Sequence, residues 1–109
     1  RDVSGISTYD YDCRPDIGYN YAYFPVKVTA EYGRSRDELW AWLKENGIGT
    51  RKLYDKLTCD YACYKDAGYV RDTGYADRVK DMALDLPLYG TLTETEIEEI
   101  CDMIKSGVK

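Results

Sequence analysis

Between Arg78 and Ile104 the chain has almost no spare residues, and this stretch restricts the fold more than any other. Thr93-Glu-Thr-Glu96 is a capping box: the Thr93 hydroxyl can accept from the Glu96 amide while the Glu96 carboxylate reaches back to the Thr93 amide. Ile97, Ile100, Cys101 and Ile104 then fall at i, i+3, i+4 and i+7, and Gly107 follows as a stop. Acidic Glu94, Glu96, Glu98 and Glu99 sit at the positive end of this helix and Lys105 at its negative end. Burial of the four apolar side chains is expected to contribute about 6–10 kcal/mol before entropy, with Cys101 acting as a small core residue. Upstream, Thr73 is placed to cap a helix from Gly74 to about Met82. Leu84, Leu86 and Leu88 alternate as a short half-buried strand that Pro87 ends or confines to an edge.

The remaining elements are read the same way. Ile6 to Tyr9 is a short strand, and Asp10 to Gly18 is rich in turn residues. From Tyr19 to Thr29 the residues alternate. Ala22, Phe24, Val26 and Val28 share one face, while Tyr19, Tyr21, Tyr23, Pro25, Lys27 and Thr29 share the other. Pro25 cannot donate to a ladder, which predicts an edge strand or a bulge. Ser35-Arg-Asp-Glu38 is a second capping box and predicts a helix from Arg36, with Leu39, Trp40, Trp42 and Leu43 on its apolar stripe and Asn46-Gly47 at its end. Ile48 to Leu53 reads as a strand, and Asp55 to Asp72, which includes Tyr69, is the least regular region. The predicted class is α+β: a two-layer sandwich of a small, mostly antiparallel sheet with helices on one face, forming a single domain over residues 1–109.

Composition removes several kinds of function. A net charge of −5 opposes nucleic-acid binding, and no apolar run is long enough to span a membrane. The absence of histidine takes away the commonest general base and metal ligand. Cys13, Cys59, Cys63 and Cys101 lack the spacing of a metal site, so free thiols, no metal and a cytoplasmic origin are expected. No phosphate loop or nucleophile elbow is present, and Asp10 with Asp12, like Glu98 with Glu99, reads as a solvated acidic pair. Twelve tyrosines are the compositional anomaly. The Tyr19, Tyr21 and Tyr23 face suits either a covering of the sheet or a protein interface. Arg51, after Gly49-Thr50, can present a fork to a carboxylate or phosphate, or form a surface salt bridge.

Five groups of residues stand in one order: Asn20 to Val26; Arg36 to Leu39 with Leu43 to Ile48; Thr50-Arg51 with Tyr54 and Leu57; Ala76 to Val79; and Leu86 to Tyr89 with Leu92 to Glu94. Together they resemble the C-terminal small domain of the DegT/StrS family of sugar aminotransferases, pyridoxal-phosphate enzymes of the aspartate-aminotransferase fold type. The resemblance implies a parent enzyme, expected to be a homodimer, that moves an amino group, typically from glutamate, to a keto group of a nucleotide-linked sugar. It places the cofactor lysine in a large N-terminal domain outside this chain, which begins at Arg1 and reads as a piece of a longer polypeptide. The isolated chain is then expected to hold no catalytic residue and to be inactive. The carried-over substrate-facing residues are Arg51, Asn20 and Tyr54, and the Tyr19, Tyr21 and Tyr23 face is expected to pack against the large domain. Thr58 stands where many relatives have histidine, a departure that bears on sugar specificity. The alternative from the residues themselves is a stand-alone α+β interaction module.

Overall fold

Strands Ile6–Thr8 (β1), Phe24–Val28 (β2), Arg51–Lys52 (β3) and Ala83–Leu86 (β4) form one antiparallel sheet in the order β1-β2-β4-β3. The computed structural model describes residues 3–10, 13–68 and 72–108, so Asp12 and Tyr69 lie outside the described residues. Helices Arg36–Glu45 (α1), Ala62–Lys65 (α2), Gly74–Lys80 (α3) and Glu94–Ser106 (α4) complete an α+β fold. Among the described residues no helix is long and apolar enough to cross a membrane.

The core lies on one face of the sheet. Val26, Val28 and Leu84 meet Tyr32 from the 3-10 turn after β2, Leu39 and Leu43 from α1 and Ile104 from α4. Val26 pairs directly with Leu84 across the ladder, so their side chains share that face. Full burial of Leu39, Leu43 and Leu84 is worth about 1.5–3 kcal/mol each before entropy. Both capping boxes form. Ser35 Oγ accepts from Glu38 N at 3.2 Å and Thr93 Oγ1 from Glu96 N at 3.3 Å. At the other end of α1, Gly47 takes φ +81°, and Ile48 N donates to Leu43 O at 2.9 Å. This closes the helix with a left-handed glycine. Gly5 is likewise constrained, with φ +76° and a position where a Cβ would meet Tyr32 N at 2.1 Å.

The strand read from Tyr19 begins only at Phe24. Its partner β4 ends at Leu86, and the next residue, Pro87, has no N–H to extend the ladder. Upstream, the Asn20 side-chain oxygen accepts from Ala22 N at 3.2 Å and Tyr21 takes φ +50°, a local turn in place of a strand. Tyr19, Tyr21 and Tyr23 are therefore not one strand face, although Tyr19 and Tyr21 stack edge to face with centroids 5.2 Å apart.

Pro25 lies on an interior strand, not an edge. Phe24 and Val28 donate on the β4 side, to Asp85 and Met82, so the Pro25 nitrogen faces the β1 side. Because β1 pairs only from Val28 to Val26, the absent donor points past its end. The Ile48–Leu53 strand shrinks to Arg51–Lys52, since Ile48 is spent in capping α1. Strand β4 is buried rather than half-buried at Ala83, Leu84 and Asp85. Helix α3 starts at Gly74 with Thr73 at the N-cap position, as read, but Thr73 makes no side-chain capping bond. Its backbone is not extended (ψ 23°), and its hydroxyl donates to the Asp77 carboxylate at 2.8 Å. On α4 only Ile104 is buried, whereas Ile97 and Cys101 are exposed. The helix is tied to the core through its last turn, where Tyr32 Oη donates to Ile104 O.

Candidate functional site

The antiparallel register brings three sequence-distant segments to one end of the sheet. Phe24 opens β2 opposite Leu86, which closes β4, and Arg51 opens β3 opposite Asp85. The segments flanking these pairs, Asn20 to Tyr23, Gly49 to Arg51 and Leu86 to Tyr89, must then converge. A cleft of about 310 Å³ opens there, lined by Ala22, Gly49, Arg51, Asp85, Pro87 and Tyr89.

Its charged pair is asymmetric. The Asp85 side chain is 7% exposed and that of Arg51 71%. Asp85 Oδ1 accepts from the backbone N–H of Phe24 at 2.9 Å, and Oδ2 accepts from Arg51 Nη2 at 3.2 Å. The guanidinium lies over the Tyr23 ring, 5.6 Å from its centroid. A buried carboxylate needs such partners, because desolvation penalises an unpaired charge severely. The salt bridge expected as an alternative for Arg51 is thus present, but it occupies one arm of the fork and leaves the side chain mostly in solvent.

The other sequence candidates do not all meet at this place. Asn20 is exposed and its side-chain oxygen is used within its own turn. Tyr54 is 72% exposed and takes φ +53°. It lines a different cleft of about 580 Å³, shared with Pro25, Lys27, Tyr75 and Val79. Of Tyr19, Tyr21 and Tyr23, all exposed, Tyr23 is the one that engages Arg51. Thr58 is exposed and opens a 3-10 turn, away from the residues of the 310 Å³ cleft.

Asp85 is the residue that sequence reasoning missed. The leucine alternation around it gave it no role of its own. The available signal was an acid flanked by leucines in a short apolar strand, a place where a carboxylate requires a cation and a donor.

Cys13, Cys59, Cys63 and Cys101 are free thiols, and the described residues contain no group of three or more metal-ligating side chains. Five of the described lysines are engaged with acids or rings. Lys80 lies 3.0 Å from Asp60 and Lys105 2.9 Å from Asp102, and the hydrogen bonds from these amines to the carboxylates raise both above the ordinary lysine range. Lys52 pairs with Asp37 at 3.0 Å and lies over Trp40, as does Lys44.

Residues 1–105 match the DegT/DnrJ/EryC1/StrS aminotransferase family. The chain belongs to that family. Its relatives include the dTDP-4-amino-4,6-dideoxy-D-glucose transaminase of Shigella dysenteriae, 31% identical over 86 residues that make up 79% of this chain and 23% of that protein. The Escherichia coli transaminase of the same name is 31% identical over 87 residues, 78% of this chain and 24% of the relative. Among solved structures, DesI, determined in the presence of its TDP-sugar product, superposes with a TM-score of 0.85 at 21% identity, covering 96% of this chain and 26% of DesI. The aminotransferase TlmJ from Streptoalloteichus hindustanus gives 0.78 at 20% identity over 94% of this chain and 26% of TlmJ. The chain thus spans about a quarter of the length of the curated relatives it matches. The DegT/StrS resemblance read from five ordered segments holds, and so does the α+β small-domain fold it implied.

Proposed function

We propose that this chain is the C-terminal small domain of an aminotransferase acting on nucleotide-linked keto-sugars, with glutamate as amino donor, in a cytoplasmic homodimer. In this reading the domain closes the substrate cleft formed by the rest of the polypeptide. The observation that carries it is the convergence of Asn20 to Tyr23, Gly49 to Arg51 and Leu86 to Tyr89 around one exposed guanidinium. Asn20 to Tyr23, Thr50-Arg51 and Leu86 to Tyr89 belong to three of the five groups on which the family resemblance rests. An oxyanion of donor or sugar nucleotide is the ligand such a fork recognises.

Pyridoxal phosphate supplies an electron sink and needs a lysine able to shed its proton to form an imine. The lysines described here do not fit that role. Lys52, Lys80 and Lys105 are ion-paired, Lys44 and Lys56 lie over aromatic rings, and Lys27 and Lys65 are exposed. No step is assigned to them, and the cofactor site belongs to the proposed large domain. Of Arg51, Asn20 and Tyr54, Arg51 is retained as the substrate-facing cation. Tyr23 supports its guanidinium, and Tyr19 and Tyr21 are the residues offered to the large domain.

The test is an assay of the full-length polypeptide with glutamate and a panel of nucleotide keto-sugars, following 2-oxoglutarate formation, beside the same assay of the 109-residue chain. Activity in the first and none in the second is expected. Transamination by the short chain, or none by the full polypeptide with any keto-sugar, would overturn the proposal.

A further inference from the structure

We propose that Asp85 is a positioning residue for the reaction: it holds the Arg51 guanidinium so that its unused N–H edge meets an oxyanion of one substrate. That oxyanion is the carboxylate of the amino donor or the diphosphate of the sugar nucleotide. The inference rests on the reading of Arg51 as the substrate-facing cation.

Three features separate this arrangement from an ordinary structural ion pair. First, the carboxylate is anchored independently of the arginine. Asp85 Oδ1 takes the backbone donor of Phe24 at 2.9 Å, a group fixed by the β2–β4 ladder. With that oxygen pinned to a strand, the position of Oδ2 is set as well. Second, the pair is lopsided. Asp85 is buried, whereas Arg51 is mostly exposed and makes a single hydrogen bond, at 3.2 Å. An exposed arginine held at one point adds little to folding, yet the buried acid fixes where that arginine stands. Third, the Tyr23 ring beneath the guanidinium restricts its plane. One of the five N–H donors of the fork is used by Asp85, and among the described residues Arg51 Nε and Nη1 have no hydrogen-bond partner. An arginine with one arm tethered, its plane restricted and its other edge open to a cleft is pre-organised for two-point binding of a carboxylate or phosphate.

The experiment uses the full-length polypeptide. Asp85→Asn keeps the volume and an oxygen able to accept from Phe24 N, but removes the charge that draws Arg51. It is compared with Arg51→Gln and with the double variant, with kcat and the KM of glutamate and of the keto-sugar nucleotide measured separately. Arg51→Gln is expected to raise one of the two KM values by about tenfold or more, the loss of a charge-assisted contact. Asp85→Asn should raise the same KM by about three- to tenfold with kcat changed by less than about twofold, and should add less than about twofold in the Arg51→Gln background. A rise confined to glutamate identifies the carboxylate as the ligand, and a rise confined to the sugar nucleotide identifies the diphosphate.

The positioning role is overturned if Asp85→Asn leaves both KM values unchanged while Arg51→Gln does not. It is equally overturned if Asp85→Asn costs as much without Arg51 as with it, the signature of a purely structural role. If Asp85→Asn does not fold, Asp85→Glu serves: it keeps the charge but displaces it by one methylene, and an unchanged KM would refute positioning. No change on Arg51→Gln would remove the substrate-facing assignment, and Asp85 with it. A wild-type protein that does not transaminate would instead sink the functional reading.

Discussion

Tyr32→Phe takes one oxygen out of the centre of the core, and its cost can be worked from the geometry. Tyr32 is fully buried, and its hydroxyl donates to Ile104 O at 2.6 Å. Desolvation by burial raises the Tyr32 pKa above its ordinary value, so the group stays a protonated donor at neutral pH. Ile104 lies in the last turn of α4, where carbonyls have no amide donor within the helix. The substitution removes the donor to that carbonyl, a loss of about 1–3 kcal/mol. At about 4–8 °C per kcal/mol for a domain near this size, melting should fall by several degrees at least.

A second substitution separates the hydrogen bond from generic packing. Gly107 has an ordinary φ of −77°, but a Cβ there would lie 2.6 Å from Tyr32 Oη and 3.0 Å from Trp42 Nε1. Gly107→Ala should therefore destabilise by about 1–3 kcal/mol through overpacking. In the Tyr32→Phe background the nearest obstructing atom is gone, and the cost should be smaller by about 0.5–1 kcal/mol. Urea unfolding of the four proteins of the cycle, followed by the fluorescence of Trp40 and Trp42, measures both quantities. A Tyr32→Phe protein within about 0.3 kcal/mol of the parent, or a strictly additive cycle, would refute the claim that this hydroxyl ties α4 to the core.

Two further outcomes follow from local geometry. Ser35→Ala and Thr93→Ala should each cost about 1 kcal/mol, and add when combined because the caps belong to different helices, as thermal melting can check. Asp37 is held below the usual carboxylate range, chiefly by the hydrogen bond from Lys52 and also by Arg36, against a smaller opposing desolvation. Its folded pKa lies below its unfolded one, so its contribution is present above about pH 4 and is lost as pH falls through the folded value. Asp37→Asn should lower the urea midpoint at pH 7 and converge with the parent near pH 2; a constant gap at both pH values would contradict this.

What could be read from the sequence was what is decided within a few residues. The Ser35 and Thr93 capping boxes and the Asn46-Gly47 stop are local hydrogen-bond patterns, and all three form where the sequence placed them. What could not be read depends on partners far along the chain. Tyr32 and Ile104 are 72 residues apart and Phe24 and Asp85 are 61 apart. No periodicity reports that a tyrosine after β2 closes the end of α4. The alternation from Tyr19 to Thr29 was genuine, but alternation requires only a period of two. A strand also requires a neighbour, and Pro87 removes it beyond Leu86.

At Arg51 a fork and a salt bridge coexist. The sequence offered two readings, a substrate-facing fork or a surface salt bridge, as though one excluded the other. They exclude each other only if the pair consumes the whole guanidinium or lies wholly in solvent. Here the acid is buried and anchored to the backbone of β2, while the cation is exposed and held through one nitrogen. The salt bridge is then the means by which an exposed, flexible side chain acquires a fixed position, which is what recognition of an oxyanion by a two-point fork requires. Asp85 can do this only because β4 is the interior strand that pairs with both β2 and β3, so that Phe24 and Arg51 reach one carboxylate from opposite sides.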